Sequence, residues 1–166
     1  RNLLKLTGVG VAALGAASLF NFSKSEAQNM SEEWDKVFPR SKNVDHQKVT
    51  FKNRYGISLA GDLYLPKNRA NRRLPALAVG GPFGAVKEQS SGLYAQTMAE
   101  RGFIALAFDG SYTGESGGEP RNVASPDINT EDFSAVVDFL GLHPSVNRER
   151  IGIIGVNGAG KTTLLR

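Results

Sequence analysis

The 166-residue sequence contains no cysteine. That excludes a disulfide framework, a thiolate metal site and a thiol nucleophile. Histidine is nearly as scarce. His46 precedes the first strand-like run, far along the chain from the glycine-rich stretch near the end, and His143 stands beside Pro144. Neither is placed to act as the base of a hydrolytic triad, and His143 reads as a helix-end or surface residue. No apolar run reaches the ~20 residues that a membrane-crossing helix needs; the longest, residues 6–20, is rich in small residues. A one-signed charge excess is also missing from the body of the chain. The formal net charge is +4, but Arg1, Lys5 and Lys24 face Glu26 alone in residues 1–27, and the remainder is close to neutral. The basic cluster Arg69, Arg72 and Arg73 lies in "PKNRANRRLP", with no interleaved aromatic. It reads as a solvated loop, and nucleic acid is not an expected partner.

What is present is ordinary for one globular domain: 40% hydrophobic and 22% charged residues, with no internal repeat or low-complexity tract. The first 27 residues are set apart. They run from a basic start through the apolar stretch to Ser25-Glu26-Ala27, a small-x-small cleavage pattern. Arg1-Asn2-Leu3-Leu4-Lys5 resembles the latter part of a twin-arginine export signal. Residues 1–27 are therefore expected to be an export segment and residues 28–166 the domain, delivered to the periplasm or outside, with only transient membrane contact.

Along that domain the periodicity predicts a short helix over 31–37, ended by Pro39. In "VTFKNRYGISLAGDLYLP" two alternating runs flank the turn residues Asn53 to Gly56, which predicts an antiparallel hairpin closed by Pro66. "LPALAVGG" and "FIALAFDG" are continuous apolar strands of the kind buried on both faces, with "GLYAQTMAERG" between them as a helix capped by Gly102. A further helix is expected from Asn129 or Thr130, with Asp132 in its first turn and Phe133, Val136, Val137 and Leu140 on its buried face. Pro144 ends it, "RIGIIG" is a third buried strand, and another helix is expected from about Lys161. Alternating strands and helices after a hairpin define an α/β fold with a mostly parallel sheet.

In this order, "VDHQKVTFKNRYGISLAGDLYLP", "GGPFGAVKEQ", "ALAFDGSYTGESGGEPR" and "FLGLHPSVNRERIGIIG" resemble an α/β-hydrolase of the dienelactone hydrolase-like group, over residues 34–155. The resemblance implies cleavage of ester, lactone or related acyl bonds in a small-molecule substrate through an acyl-enzyme, with no cofactor and no metal. It implies an oxyanion hole from two backbone amides. Pro82 has no N–H, so Phe83 is the first donor, and Gly158 is the second. Gly155 to Ala159 has the spacing of a nucleophile elbow, but its centre is Asn157, whose carboxamide cannot attack an acyl carbon. The acid and histidine of the family follow on later strands. The chain is thus expected to be the first part of such a domain, truncated after the elbow strand and inactive as it stands. Asp109 and Glu115, on the glycine-rich loop after a strand, either touch substrate or serve as turn formers.

The same terminal string satisfies a phosphate-loop pattern: Gly155, then Gly160, Lys161 and Thr162, with Asn157, Gly158 and Thr163 within it. It is similar to the first strand, loop and helix of an ABC-type ATPase, which implies ATP and Mg²⁺ as ligands, with Lys161 on the phosphates and Thr162 on the ion. In such subunits this loop stands near the start of the domain; here a hydrolase-like pattern precedes it. The nucleotide-binding reading is carried as the alternative, together with a non-catalytic exported binding protein.

Overall fold

The computed structural model describes residues 34–156. From Asp35 on these belong to one compact unit. The hairpin forms as the sequence suggests: β1 (Val44–Lys52) pairs antiparallel with β2 (Ser58–Pro66). Its turn is built on Asn53, whose side-chain oxygen accepts from the amides of Tyr55 at 3.1 Å and Ile57 at 3.0 Å. Gly56 adopts φ +78°, which a residue with a Cβ rarely takes. His46 lies inside β1 rather than before the hairpin, and its Nε2 sits 2.9 Å from Asp62 Oδ1.

The rest alternates as a parallel α/β unit: β3 (Leu74–Gly80), α1 (Ser90–Glu100), β4 (Ile104–Phe108), α2 (Pro126–Leu142) and β5 (Val146–Gly155). The sheet order is β1-β2-β4-β3-β5. Strands β4, β3 and β5 run parallel, and β1 and β2 join through the antiparallel β2–β4 pair. Leu63, Leu65, Ala76, Ala78, Ile104 and Leu106 form one core with Phe133, Val136 and Leu140 of α2. Residues of the opposite parity, including Tyr64, Ala105 and Ala107, are buried too and by the pleat face the other side, where α1 packs on β4, β2 and β3. Among the described residues, no helix is long and apolar enough to cross a membrane.

Several element boundaries differ from the sequence expectation. Residues 34–37 are not helical; Lys36 and Phe38 are instead drawn into the interior, Lys36 onto Asp62 at 2.9 Å. Helix α2 starts at Pro126, not at Asn129 or Thr130, because Ser125 is its N-cap and a proline at the first position loses no needed donor. Asp127 takes the first-turn place, and Asp132 falls in the second turn, buried. The helix stops at Leu142, with His143 extended as the residue before a proline must be. Strand β2 is buried along both faces instead of alternating, since Leu63 and Leu65 join the core with α2 while α1 packs on the opposite face. Strand β5 is longer than "RIGIIG", and it is not a buried strand.

Among the described residues, β5 pairs only with β3, and Ile153 on it is 42% exposed. An unpaired edge that is apolar over Ile151 to Gly155 is a template for pairing with another chain. The chain in solution is expected to scatter light in a concentration-dependent way, and Ile153→Lys is expected to reduce that scattering. A monomer over the whole concentration range would contradict this.

Candidate active site

Parallel strands β3 and β4 end side by side, at Gly80 and Phe108. The loops leaving them border a cavity of about 60 Å³. On one side lie Gly81, Pro82 and Phe83; on the other lie Gly110, Ser111 and Thr113; Asp132 and Phe133 of α2 close the base. The position follows from topology, because loops at the carboxyl ends of parallel strands diverge and leave a crevice.

The loop after β3 is a tight turn in which the Ala85 amide donates to the Pro82 carbonyl at 3.1 Å, and Gly84 has φ +82°. The Phe83 amide has no hydrogen-bond partner among the described residues, and the residue is 59% exposed. An unsatisfied backbone donor at the rim of a crevice is what an oxyanion hole requires. Where β5 leaves the sheet, the Val156 amide donates to the Gly80 carbonyl at 3.0 Å. Gly155 is paired with Gly80, so the segment entering the elbow sequence starts beside the Phe83 loop. Asn157, Gly158, Gly160, Lys161, Thr162 and Thr163 lie outside the described residues.

Asp109 and Glu115 are brought together, yet neither lines the cavity. Asp109 is buried; it accepts from the Lys87 amide at 2.7 Å, from Lys87 Nζ at 3.1 Å and from the Glu115 amide at 2.9 Å. Lys87 Nζ also donates to Glu115 Oε2 at 2.6 Å and to Glu88 Oε1 at 2.5 Å. Burial by itself lowers the basicity of Lys87, but the hydrogen bonds to Glu115 and Glu88 and the charge of Asp109 outweigh it and raise the pKa. The hydrogen bond from Lys87 holds the Glu115 carboxyl below its ordinary range. Carboxylate oxygens of Asp35, Glu88 and Glu115 lie within 4.8 Å of one another. The ammonium groups of Lys87 and Lys48 already contact these carboxylates and supply the positive charge that a metal ion would bring.

One group at the base, Asp132, was not visible as a site residue in the sequence. Asp132 Oδ2 accepts from the Ser111 amide at 2.7 Å, and its Oδ1 accepts from Ser111 Oγ at 2.8 Å and Asn53 Nδ2 at 2.9 Å. Burial nevertheless raises its pKa. Asp132 therefore ties the loop after β4 to α2 and to the hairpin turn, fixing one wall of the cavity. His143 has a lowered pKa from burial and from the nearby Arg69 charge, and its Nδ1 accepts from the Ser145 amide at 3.2 Å, a structural role at the helix end.

An antiparallel hairpin leading into parallel strands flanked by helices, with a crevice at the carboxyl ends of β3 and β4, is part of an α/β-hydrolase fold. Residues 55–165 match the X-Pro dipeptidyl-peptidase (S15 family) profile, and the chain belongs to that family. It is 65% identical over 162 residues to the Pseudomonas aeruginosa protein PA2218, covering 98% of this chain and 44% of the relative. It is 46% identical over 121 residues to YcjY of Escherichia coli, covering 70% and 40%. With the thiohydrolase aneE of Aspergillus aculeatus the identity is 36% over 119 residues, covering 72% and 36%. The chain thus spans less than half the length of each of these relatives. Among solved structures, that of PA2218 aligns with TM-score 0.73 at 78% identity, over 76% of this chain and 39% of that one. The α/β hydrolase GrgF from Penicillium sp. aligns with TM-score 0.62 at 28% identity, over 68% and 37%.

Proposed function

We propose that this chain carries the oxyanion half of an acyl-transferring hydrolase of the dienelactone hydrolase-like kind, which cleaves ester, thioester or lactone bonds in a small molecule. The observation that carries the reading is the free Phe83 amide at the cavity rim, beside the strand that feeds the elbow sequence. The thiohydrolase relative supports an acyl substrate, and the family match extends to residue 165, across the glycine-rich string that also reads as a phosphate loop. The amino-terminal segment supports export, with the acyl compound as partner and no resident cofactor. Asp109 and Glu115 act on substrate only through the loops they hold.

Asn157 leaves the elbow position without a nucleophile. The chain is expected to turn over no p-nitrophenyl butyrate above background. Asn157→Cys places one thiol in a cysteine-free chain, so its chemistry is read by intact mass. Its thiolate attacks the acyl carbon; the C–S bond forms, the C–O bond breaks, p-nitrophenolate leaves with the electron pair, and the thiol proton goes to solvent. One butyryl group is expected per chain, at a rate roughly a hundredfold above N-acetylcysteine, the size of one oxyanion donor. A rate equal to that of the free thiol would overturn the reading. Mg²⁺-dependent ATP binding that disappears in Lys161→Ala would favour the nucleotide reading instead.

A further inference from the structure

Between Gly81 and α1 the loop bearing Phe83 makes few bonds to the rest of the protein. The bonds of Ala85 to Pro82 and of Gln89 to Val86 are internal to it. Its attachments are at its far end: the Val37 amide donates to the Glu88 carbonyl at 3.1 Å, and Lys87 docks on Asp109. Asp109 in turn is fixed to the sheet. Its amide donates to the Ala60 carbonyl at 3.0 Å, and its carbonyl accepts from Ser116 Oγ at 2.7 Å. A Cβ at Gly114 would fall 2.3 Å from Asp109 Oδ2, so only glycine lets the second loop wrap this closely over the carboxylate. Glu115, the next residue, then reaches Lys87 on one oxygen and Lys48 of β1 on the other, at 2.6 and 3.3 Å.

We propose that Lys87 is a positioning residue for the oxyanion hole: held by Asp109 and latched by Glu115, it locks the Phe83 loop against the loop on the opposite wall of the cavity. Lys87 is 1% exposed and does not line the cavity, so it acts through Phe83 and not on the acyl group. Its relevance to acyl transfer rests on the function proposed above; the loop coupling itself does not.

The test is in two arms, on the full chain, with Glu115→Gln as the variant, because Glu115 is 53% exposed and its loss spares the core. Amide hydrogen exchange is expected to rise about threefold at 85–87 and 111–116, the size of one partly screened charged bond, with β3 and β4 unchanged. No change at Ala85 and Lys87, whose amides are bonded, or a uniform rise throughout, would overturn the proposal. In the Asn157→Cys background the same substitution is expected to slow butyrylation about tenfold while alkylation by iodoacetamide, which develops no oxyanion, stays constant. Equal effects on the two rates, or none on either, would overturn it as well. If Asn157→Cys acylates no faster than a free thiol, the acyl-transfer reading falls, and the exchange arm still decides the role of Lys87.

Discussion

Lys87→Met is expected to lower the unfolding free energy by about 3–5 kcal/mol, the cost of stripping one partner from a buried ion pair. The side chain is 1% exposed and Asp109 opposite it is 0% exposed, so the substitution leaves a carboxylate facing an apolar methionine with no water to solvate it. A loss of that size is a large share of the stability of any domain this small. Glu115→Gln removes a half-exposed member of the same cluster and is expected to cost below about 1 kcal/mol. Urea unfolding of the three proteins gives the comparison, and a loss under 1 kcal/mol for Lys87→Met would show that the cluster is not held as described. The pH dependence has a defined sign. Glu115 has a lowered folded-state pKa, so its contribution is present above the ordinary carboxyl value of 4.5 and is lost as pH falls through the lowered value. Lys87→Met removes the cause of that shift, so its stability difference from the unsubstituted chain is expected to narrow in acid.

This cluster also shows where the sequence stops being readable. Strands β3 and β4 are continuous apolar runs bounded by glycine and aspartate, and they could be placed from composition alone. Helix α2 was visible through Phe133, Val136 and Leu140, although its start was not, because Ser125-Pro126 competes with two other capping residues further on. Strand β2 misled in a more instructive way. Its Leu63 and Leu65 mark one buried face, but Asp62 and Tyr64, which alternate with them, look solvent-directed and are fully buried. Asp62 stays charged there: burial opposes ionisation, while hydrogen bonds from His46 and Lys36 outweigh it and lower the pKa. Alternation reports polarity, and a polar residue is buried wherever a partner distant in sequence neutralises it. Lys36 lies 26 positions from Asp62 and Lys87 lies 22 from Asp109, separations that no local pattern encodes. For the same reason the cavity rim was legible through Pro82 and Phe83, whereas the residues that hold it were not.

The second large effect joins the core to the cavity. Phe133 is 3% exposed and meets Phe108 edge to face at 5.0 Å, so Phe133→Ala is expected to cost about 3–5 kcal/mol through lost burial and the void left behind. At the end of β3, a Cβ on Gly80 would lie 2.4 Å from Phe133 Cζ, so Gly80→Ala forces the ring aside at about 1–3 kcal/mol. Each site is the reason for the other: the glycine makes room for the ring, and the ring fills what the glycine leaves. The double variant puts a methyl into the space the ring vacates, and is expected to be about 1–3 kcal/mol more stable than the sum of the single losses. Additivity within about 0.5 kcal/mol would mean that the two do not share one volume. Both residues line the cavity, so the coupling has a chemical consequence. In the Asn157→Cys background, Phe133→Ala deepens the base of the crevice and is expected to shift acylation from short toward longer acyl chains. Adding Gly80→Ala returns part of that volume and moves the preference back, which an effect of stability alone would not do.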